Sequence, residues 1–142
     1  MANLIATVEI DIAAPPAQVW KALTDPEVIA RYFFGSKVDT DWQPGSPIVW
    51  KGEYEGKAYE DRGEVLEVET NRRLKVTHFS PMTGLPDDPE NYHTITYEID
   101  DRGDTTHLSL SQDNNRDDAE AQHATENWAT MLDGLKRTVE SQ

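Results

Sequence analysis

The longest amphipathic stretch of the chain is DDAEAQHATENWATMLDGLKRTV, residues 117–139. Its apolar residues recur at helical spacing and form one stripe, with charged residues on the opposite face. The stripe consists of Ala121, Ala124, Trp128, Met131, Leu132, Leu135 and Val139. Asp117 and Asp118 lie at the start, where the helix dipole favours negative charge. The pattern predicts a helix of about 20 residues, roughly 30 Å long, which is enough to cross a small domain.

The segments before this helix predict strands. Leu4–Ile12 alternates apolar and polar residues with period two, as expected of a half-buried strand. Six further candidates follow Gly35: Lys37–Asp41, Ile48–Gly52, Ala58–Glu69, Leu74–Phe79, His93–Ile99 and Thr106–Gln112. Most of them are joined by short turns, so the predicted sheet is antiparallel, because parallel pairs need long crossovers.

Two short helices are predicted between the first two strands. Ala14-Pro15-Pro16 ends the first strand, and Pro is tolerated in the first turn of a helix. A second helix opens at Pro26. Only the final helix is large enough to cover the apolar face of the sheet, so we predict an α+β fold with a curved sheet around that helix. A length of 142 residues suits one domain spanning residues 1–142.

Charge and cysteine content exclude several classes of function. The chain has 13 basic and 27 acidic residues, a formal net charge of −14, and no cysteine. A surface with this much negative charge repels phosphate backbones and anionic lipids. We therefore expect no nucleic-acid partner and no membrane insertion. Without cysteine there are no disulfides and no thiolate metal sites. The N-terminus lacks the pattern of a signal peptide, which predicts a cytoplasmic location.

No motif for a metal, a cofactor or a catalytic set stands out. Glu120 and His123 form one Glu-x-x-His pair, but a di-iron site needs a second pair, so we interpret them as a solvated helix face. Asp113, Asn115 and Asp117 match part of a calcium loop. The glycine and the closing glutamate of that loop are missing, so a polar linker that caps the helix is the better interpretation. We therefore predict no metal, no cofactor and no catalytic residue.

One run of residues resembles a known superfamily. IAAPPAQVWKALTDP, residues 12–26, is similar to the opening signature of the START-like (Bet v 1-like, SRPBCC) helix-grip proteins. Pro44-Gly45, the run GEVLEV at residues 63–68 and Trp128 with the following MLDGLK at residues 131–136 agree with it. The closest resemblance is to the branch named for the C-terminal domain of the Hsp90 ATPase activator, the AHSA1-like proteins. The resemblance covers nearly the whole chain and implies a helix-grip fold.

The resemblance also implies a pocket between the sheet and the long helix. By strand phase, we expect its walls to be Trp50, Val76, Tyr97, Leu108 and Trp128. His78 and His93 are in phase with the inward residues and are expected at its mouth, as ligand contacts or as hydrogen-bonded strand ends. The loop from Ser80 to Tyr92 carries three prolines and is the candidate lid.

Three functions remain open at this point. The first is non-enzymatic binding of a small apolar or amphipathic molecule. The second is a co-chaperone-like or stress-response interaction module, with a chaperone or a second copy as partner. The third is an enzyme of the cyclase or dehydratase kind that uses His78 or His93 with Tyr97. A binder needs only a hollow and a mouth, so it is the function we predict.

Overall fold

A seven-stranded antiparallel sheet dominates the described part of the chain. The computed structural model describes residues 4–33, 35–54, 56–81 and 84–141. The strands are β1 (Leu4–Ile12), β2 (Lys37–Asp39), β3 (Pro47–Tyr54), β4 (Lys57–Glu69), β5 (Arg73–His78), β6 (His93–Asp101) and β7 (Thr106–Asn115). Their order across the sheet is β1-β7-β6-β5-β4-β3-β2, and each neighbouring pair is antiparallel. The predicted sheet is confirmed.

Three helices pack against this sheet in the described residues. Two short ones, α1 (Pro16–Thr24) and α2 (Pro26–Tyr32), follow β1, and the long α3 (Asp118–Glu140) ends the chain. Asp117 caps α3 by accepting a hydrogen bond from the backbone N–H of Glu120 at 2.8 Å. The predicted helix-grip architecture is therefore present, with α3 packed against β1 and β7.

The core lies between the inner face of the sheet and the helices. Because successive side chains of a strand point to opposite faces, alternate residues of each strand are buried. In β7 these are Thr106, Leu108, Leu110 and Gln112. The stripe predicted on α3 packs against them with six buried residues: Ala124, Trp128, Met131, Leu132, Leu135 and Val139.

The last turn of α3 is fastened to the end of β1. The backbone N–H of Ala13 donates to Glu140 Oε2 at 2.7 Å. Lys136 Nζ donates to the carbonyl oxygen of Asp11 at 2.5 Å and forms an ion pair with Glu140 at 3.0 Å. These bonds hold the helix against the β1 edge and leave the other end of the gap between sheet and helix for the site described next.

Candidate ligand-binding site

Two histidines face each other across the inner face of the sheet. β5 and β6 are antiparallel neighbours, and His78 is the register partner of His93. The next pair on the same face, Val76 and Ile95, is buried. Directly opposed residues have Cβ atoms about 4.5–5.5 Å apart, so the two imidazoles are neighbours.

A carboxylate from β4 orients His78. Asp61, the register partner of Trp50, places Oδ2 2.9 Å from His78 Nε2. A carboxylate only accepts, so Nε2 carries the proton and Nδ1 of the neutral ring keeps a lone pair. The pair is well shielded, with 21% of the His78 side chain and 14% of the Asp61 side chain exposed. The indole of Trp50 meets the imidazole edge-on, with ring centroids 4.9 Å apart.

A backbone carbonyl orients His93 in the same way. His93 Nδ1 lies 2.8 Å from the carbonyl oxygen of Asp113, so Nδ1 donates and Nε2 of the neutral ring keeps its lone pair. The Asp113 carboxylate in turn accepts from the backbone N–H of Thr94 at 2.6 Å. Each histidine thus has one nitrogen bonded to the protein and no second bond to any described residue.

The strand end beside His93 also holds the loop that precedes β6. Asn114 has a φ of 56°, in the left-handed region that Asn tolerates better than most residues. Its Nδ2 donates to the carbonyl oxygens of Glu90 at 2.7 Å and Tyr92 at 3.0 Å. The irregular end of β7 therefore ties the loop to the sheet next to the histidines.

The histidines open into a cleft of about 140 Å³. Polar side chains dominate its walls, with one leucine from the loop: His78, Ser80, Leu85, Glu90, Asn91, His93, Gln112, Asn114, Arg116 and Glu120. Arg116 is neutralised by Glu120, whose Oε2 it contacts at 2.7 Å. The cleft therefore combines two oriented imidazoles, amides and a surplus of carboxylates.

A buried polar network connects the cleft to the core. Trp128 Nε1 donates to Gln112 Oε1 at 2.7 Å, and Gln112 Nε2 donates to Asn115 Oδ1 at 3.0 Å. The Trp128 indole is thereby held in one orientation by a residue that lines the cleft.

A second and smaller space, the apolar chamber, lies farther along the inner face. It encloses about 20 Å³, room for about one water molecule. Ten residues line it: Leu23, Ile29, Tyr32, Phe33, Trp42, Ile48, Trp50, Leu74, Val76 and Tyr97. The predicted wall is thus divided: Trp50, Val76 and Tyr97 line the chamber, while Leu108 and Trp128 lie in the packed core and line neither space.

Two tyrosines give the chamber its polar groups. Tyr32 donates its hydroxyl hydrogen to the carbonyl oxygen of Ala22 at 2.7 Å. Tyr97 packs its ring edge-on against Trp128, and its hydroxyl has no hydrogen-bond partner among the described residues. Burial raises the pKa of both phenols, so both are neutral near pH 7.

Residues 13–140 match the family model described as Activator of Hsp90 ATPase homolog 1-like protein. The chain belongs to this family. The branch that the sequence resembles is therefore confirmed. No curated protein matches the chain.

Solved structures agree with the family assignment. The protein ChR145 from Cytophaga hutchinsonii is 48% identical, with a TM-score of 0.85, and the match covers 97% of this chain and 94% of that one. The Aha1 dimer from Colwellia psychrerythraea is 22% identical, with a TM-score of 0.74 and coverage of 99% and 97%. DynU16, of the dynemicin biosynthetic locus, is 21% identical, with a TM-score of 0.79, and the match covers 96% of this chain and 47% of that one. The last two likenesses show the fold alone.

Within the described residues, no cluster of three or more His, Cys, Asp or Glu side chains is placed to hold a metal ion. No helix of that part of the chain is long and apolar enough to cross a membrane.

The loop predicted as a lid is fastened at its second half. Asp87 forms an ion pair with Arg62 at 3.3 Å and accepts from the Tyr92 hydroxyl at 2.5 Å. Tyr92 also stacks on Phe79, with ring centroids 5.2 Å apart. The described part of the loop includes a short 3₁₀ turn at Pro89–Asn91, where no regular structure was predicted. Met82 and Thr83 of this loop lie outside the described residues.

Sequence analysis missed five residues that orient or line the cleft: Asp61, Gln112, Asn114, Arg116 and Glu120. The inward orientation of two of them could have been predicted from strand alternation. Asp61 is two residues before Gly63 on an alternating strand, and Gln112 is two residues after the inward-facing Leu110. Glu120, interpreted from the sequence as part of a solvated helix face, is 23% exposed, pairs with Arg116 and also lines the cleft. Glu120 precedes Ala124 and Trp128 at intervals of four, so it lies on the same helix face and reaches the cleft.

Proposed function

We propose that this chain binds a small amphipathic molecule whose polar end is a hydrogen-bond donor, with that end seated in the cleft. The observation that supports this is the orientation of the two histidines. His78 and His93 each donate one N–H to the protein, to Asp61 and to the Asp113 carbonyl. Their remaining nitrogens accept, so a hydroxyl or amine is the complementary ligand group.

The charge of the cleft supports the same class of ligand. Glu90 and Glu120 line it, Arg116 is already paired with Glu120, and the whole chain carries −14. A carboxylate or phosphate would be repelled there, whereas a neutral hydroxyl or an ammonium group would not. Leu85 provides the apolar contact at the loop side of the cleft.

A protein-interaction module is the second candidate. Pockets for drug-sized ligands usually measure about 300–1,000 Å³, and the cleft holds about 140 Å³. A space of that size suits a fragment or one end of a larger ligand. The family description and the dimeric structural neighbour make a homodimer or another protein partner the alternative.

The enzyme alternative has less support. It required His78 or His93 to act together with Tyr97, but the histidines line the cleft and Tyr97 lines the chamber. DynU16 shares the fold at 21% identity, which carries no activity across to this chain.

The proposal is tested with three probes that share one ring: benzylamine, benzyl alcohol and benzoate. We expect the first two to shift the NMR signals of His78 and His93, and benzoate to bind at least about tenfold more weakly. His93→Phe removes the acceptor but keeps an aromatic ring, and it should weaken binding about fivefold, the value of one hydrogen bond.

His123→Phe is the matched control, because His123 is exposed on α3 and lines no part of the cleft. Equal binding of benzoate, or equal loss in both variants, would contradict the proposal. If no probe binds and sedimentation shows a homodimer, the interaction module becomes the better account.

A further inference from the structure

One tryptophan has a backbone conformation that its side chain disfavours. Outside glycine, positive φ occurs in the described residues at Trp42, Asn71 and Asn114. Asn adopts this region readily, but for a bulky residue it is a genuine outlier that strains the backbone. Trp42, with a φ of 56°, therefore needs a compensating interaction elsewhere.

That interaction is insertion into the apolar chamber. Trp42 is partly buried, packs against the core and is one of the residues that line the chamber. The others that line it come from α1, α2, the segment just after α2, β3, β5 and β6, and only about 20 Å³ remains empty beside them. The partly buried indole ring thus forms part of the wall of a space built from apolar and aromatic side chains.

The loop that carries Trp42 is firmly held on one side only. After it, Gly45 donates to the carbonyl of Val65 at 2.7 Å, and Val65 donates to the carbonyl of Ser46 at 2.9 Å. Before it stands β2, a three-residue edge strand. The Trp42 N–H itself makes only a 3.4 Å contact with Thr40 Oγ1. The segment of residues 40–42 is therefore the weakly bonded part of the loop.

The chamber also contains an unused polar group. The Tyr97 hydroxyl has no hydrogen-bond partner among the described residues, whereas the neighbouring Tyr32 hydroxyl is bonded to the Ala22 carbonyl. The Tyr97 side chain is only partly buried and its hydroxyl keeps contact with solvent, so a ligand group that bonds to it takes the place of water. This group points to a ligand that carries one donor or acceptor on an apolar ring.

We propose that the apolar chamber is a binding site for a planar aromatic molecule of about indole size with one polar group, and that Trp42 is its gate. In the closed state the Trp42 side chain occupies the position that the ligand would take. When Trp42 moves out of the chamber, the backbone strain is relieved but the indole is no longer buried, so these two contributions to the free energy of opening oppose each other. A ligand with the same shape then replaces the indole and bonds to Tyr97.

This inference goes beyond the proposed function, because the chamber and the cleft are two spaces that share no lining residue. The two remain separable, since benzylamine and His93→Phe report on the cleft while indole and Trp42 report on the chamber. Failure of one set of measurements leaves the other interpretable.

The test uses free indole as the probe, with binding followed by calorimetry. Trp42→Gly removes the gate and also accepts a positive φ without strain. We expect it to bind indole at least about tenfold more tightly than the wild type, in which only the open fraction is competent to bind. Adding Tyr97→Phe to Trp42→Gly should weaken indole binding about fivefold.

Trp20→Ala is the matched control, because Trp20 also packs against the core and does not line the chamber. If Trp42→Gly binds indole no more tightly than Trp20→Ala does, the proposal is wrong. A second measurement needs no variant: saturating indole should move the Nε1–H signal of Trp42 in the wild type and leave that of Trp20 unchanged. Equal movement of the two signals, or none, would also overturn it.

Discussion

The two faces of the sheet use histidine in opposite ways. On the outer face, His107 Nδ1 lies 2.7 Å from Asp11 Oδ1 and Nε2 lies 2.9 Å from Glu9 Oε1. Carboxylates only accept, so both nitrogens donate and the ring is a cation that joins β7 to β1. On the inner face, His78 and His93 each have one nitrogen bonded to the protein. The number of fixed nitrogens separates a structural histidine from one available to a ligand.

The largest loss of stability is expected from Gly63→Ala, a change on the inner face of the sheet. A Cβ at Gly63 would lie 1.8 Å from the carbonyl oxygen of Thr77, so β4 and β5 must separate. Overpacking against backbone should cost at least about 3 kcal/mol of unfolding free energy, measured by urea denaturation. Separation of the strands would also pull Asp61 away from His78. Gly134→Ala is the control, since its Cβ meets only ordinary contacts at 3.4 Å or more, and a loss as large as that of Gly63→Ala would refute this account.

A smaller effect is expected from removing the inner carboxylate. Asp61→Ala leaves the shielded N–H of His78 without its acceptor and should cost about 1–2 kcal/mol of unfolding free energy. Asp11→Ala, the matching change on the outer face, should cost less, because its carboxylate is exposed and water replaces it. Equal losses of unfolding free energy in the two variants, measured by the same urea titration, would contradict the claim that the two faces use histidine differently.

The strain at Trp42 predicts a difference between two small replacements. Both Trp42→Ala and Trp42→Gly lose the indole, but only glycine adopts a positive φ without steric cost. Trp42→Gly should therefore be more stable than Trp42→Ala by about 1 kcal/mol, opposite to the usual order of these residues. A more stable alanine variant would show that the backbone at this position is not strained.

The smallest effect concerns the response of the outer face to pH. Hydrogen bonds to Asp11 and Glu9 raise the pKa of His107 above its ordinary 6.5, although partial burial of the ring and the positive charge of Arg102 oppose them. A raised pKa means that the stabilisation is fully present below pH 6.5 and is lost as the pH rises through the raised value. The bond to His107 lowers the pKa of Asp11 below 3.8, so its contribution is lost as the pH falls through that lowered value.

The stability difference between wild type and His107→Gln should therefore be greatest between these limits and shrink on the alkaline side. Urea denaturation at a series of pH values measures it. A difference that does not vary with pH would show that His107 is not charged in the folded protein.

The fold and part of the site follow from residue spacing. Period two placed Trp50, Val76 and Tyr97 on the inner face and brought His78 beside His93, because strand alternation is a property of the backbone. The volume of the chamber could not be predicted from the sequence, because it depends on how the side chains pack to within a fraction of an ångström. Trp42 was missed because it stands in a turn, where no periodicity shows that a side chain points inward.

The pairing of β1 with β7 has a consequence for the newly made chain. Leu4 pairs with Asn115 and Ile12 with Thr106, so roughly a hundred residues must be synthesised before β1 finds its neighbour in the sheet. At about 5–20 residues per second on the ribosome, the first strand waits for about 5–20 s as an unpaired edge. During that time it offers an open template to other nascent strands. The charged residues Glu9 and Asp11 alternate with the apolar residues of β1, and their charge discourages wrong pairing of this strand before β7 is synthesised.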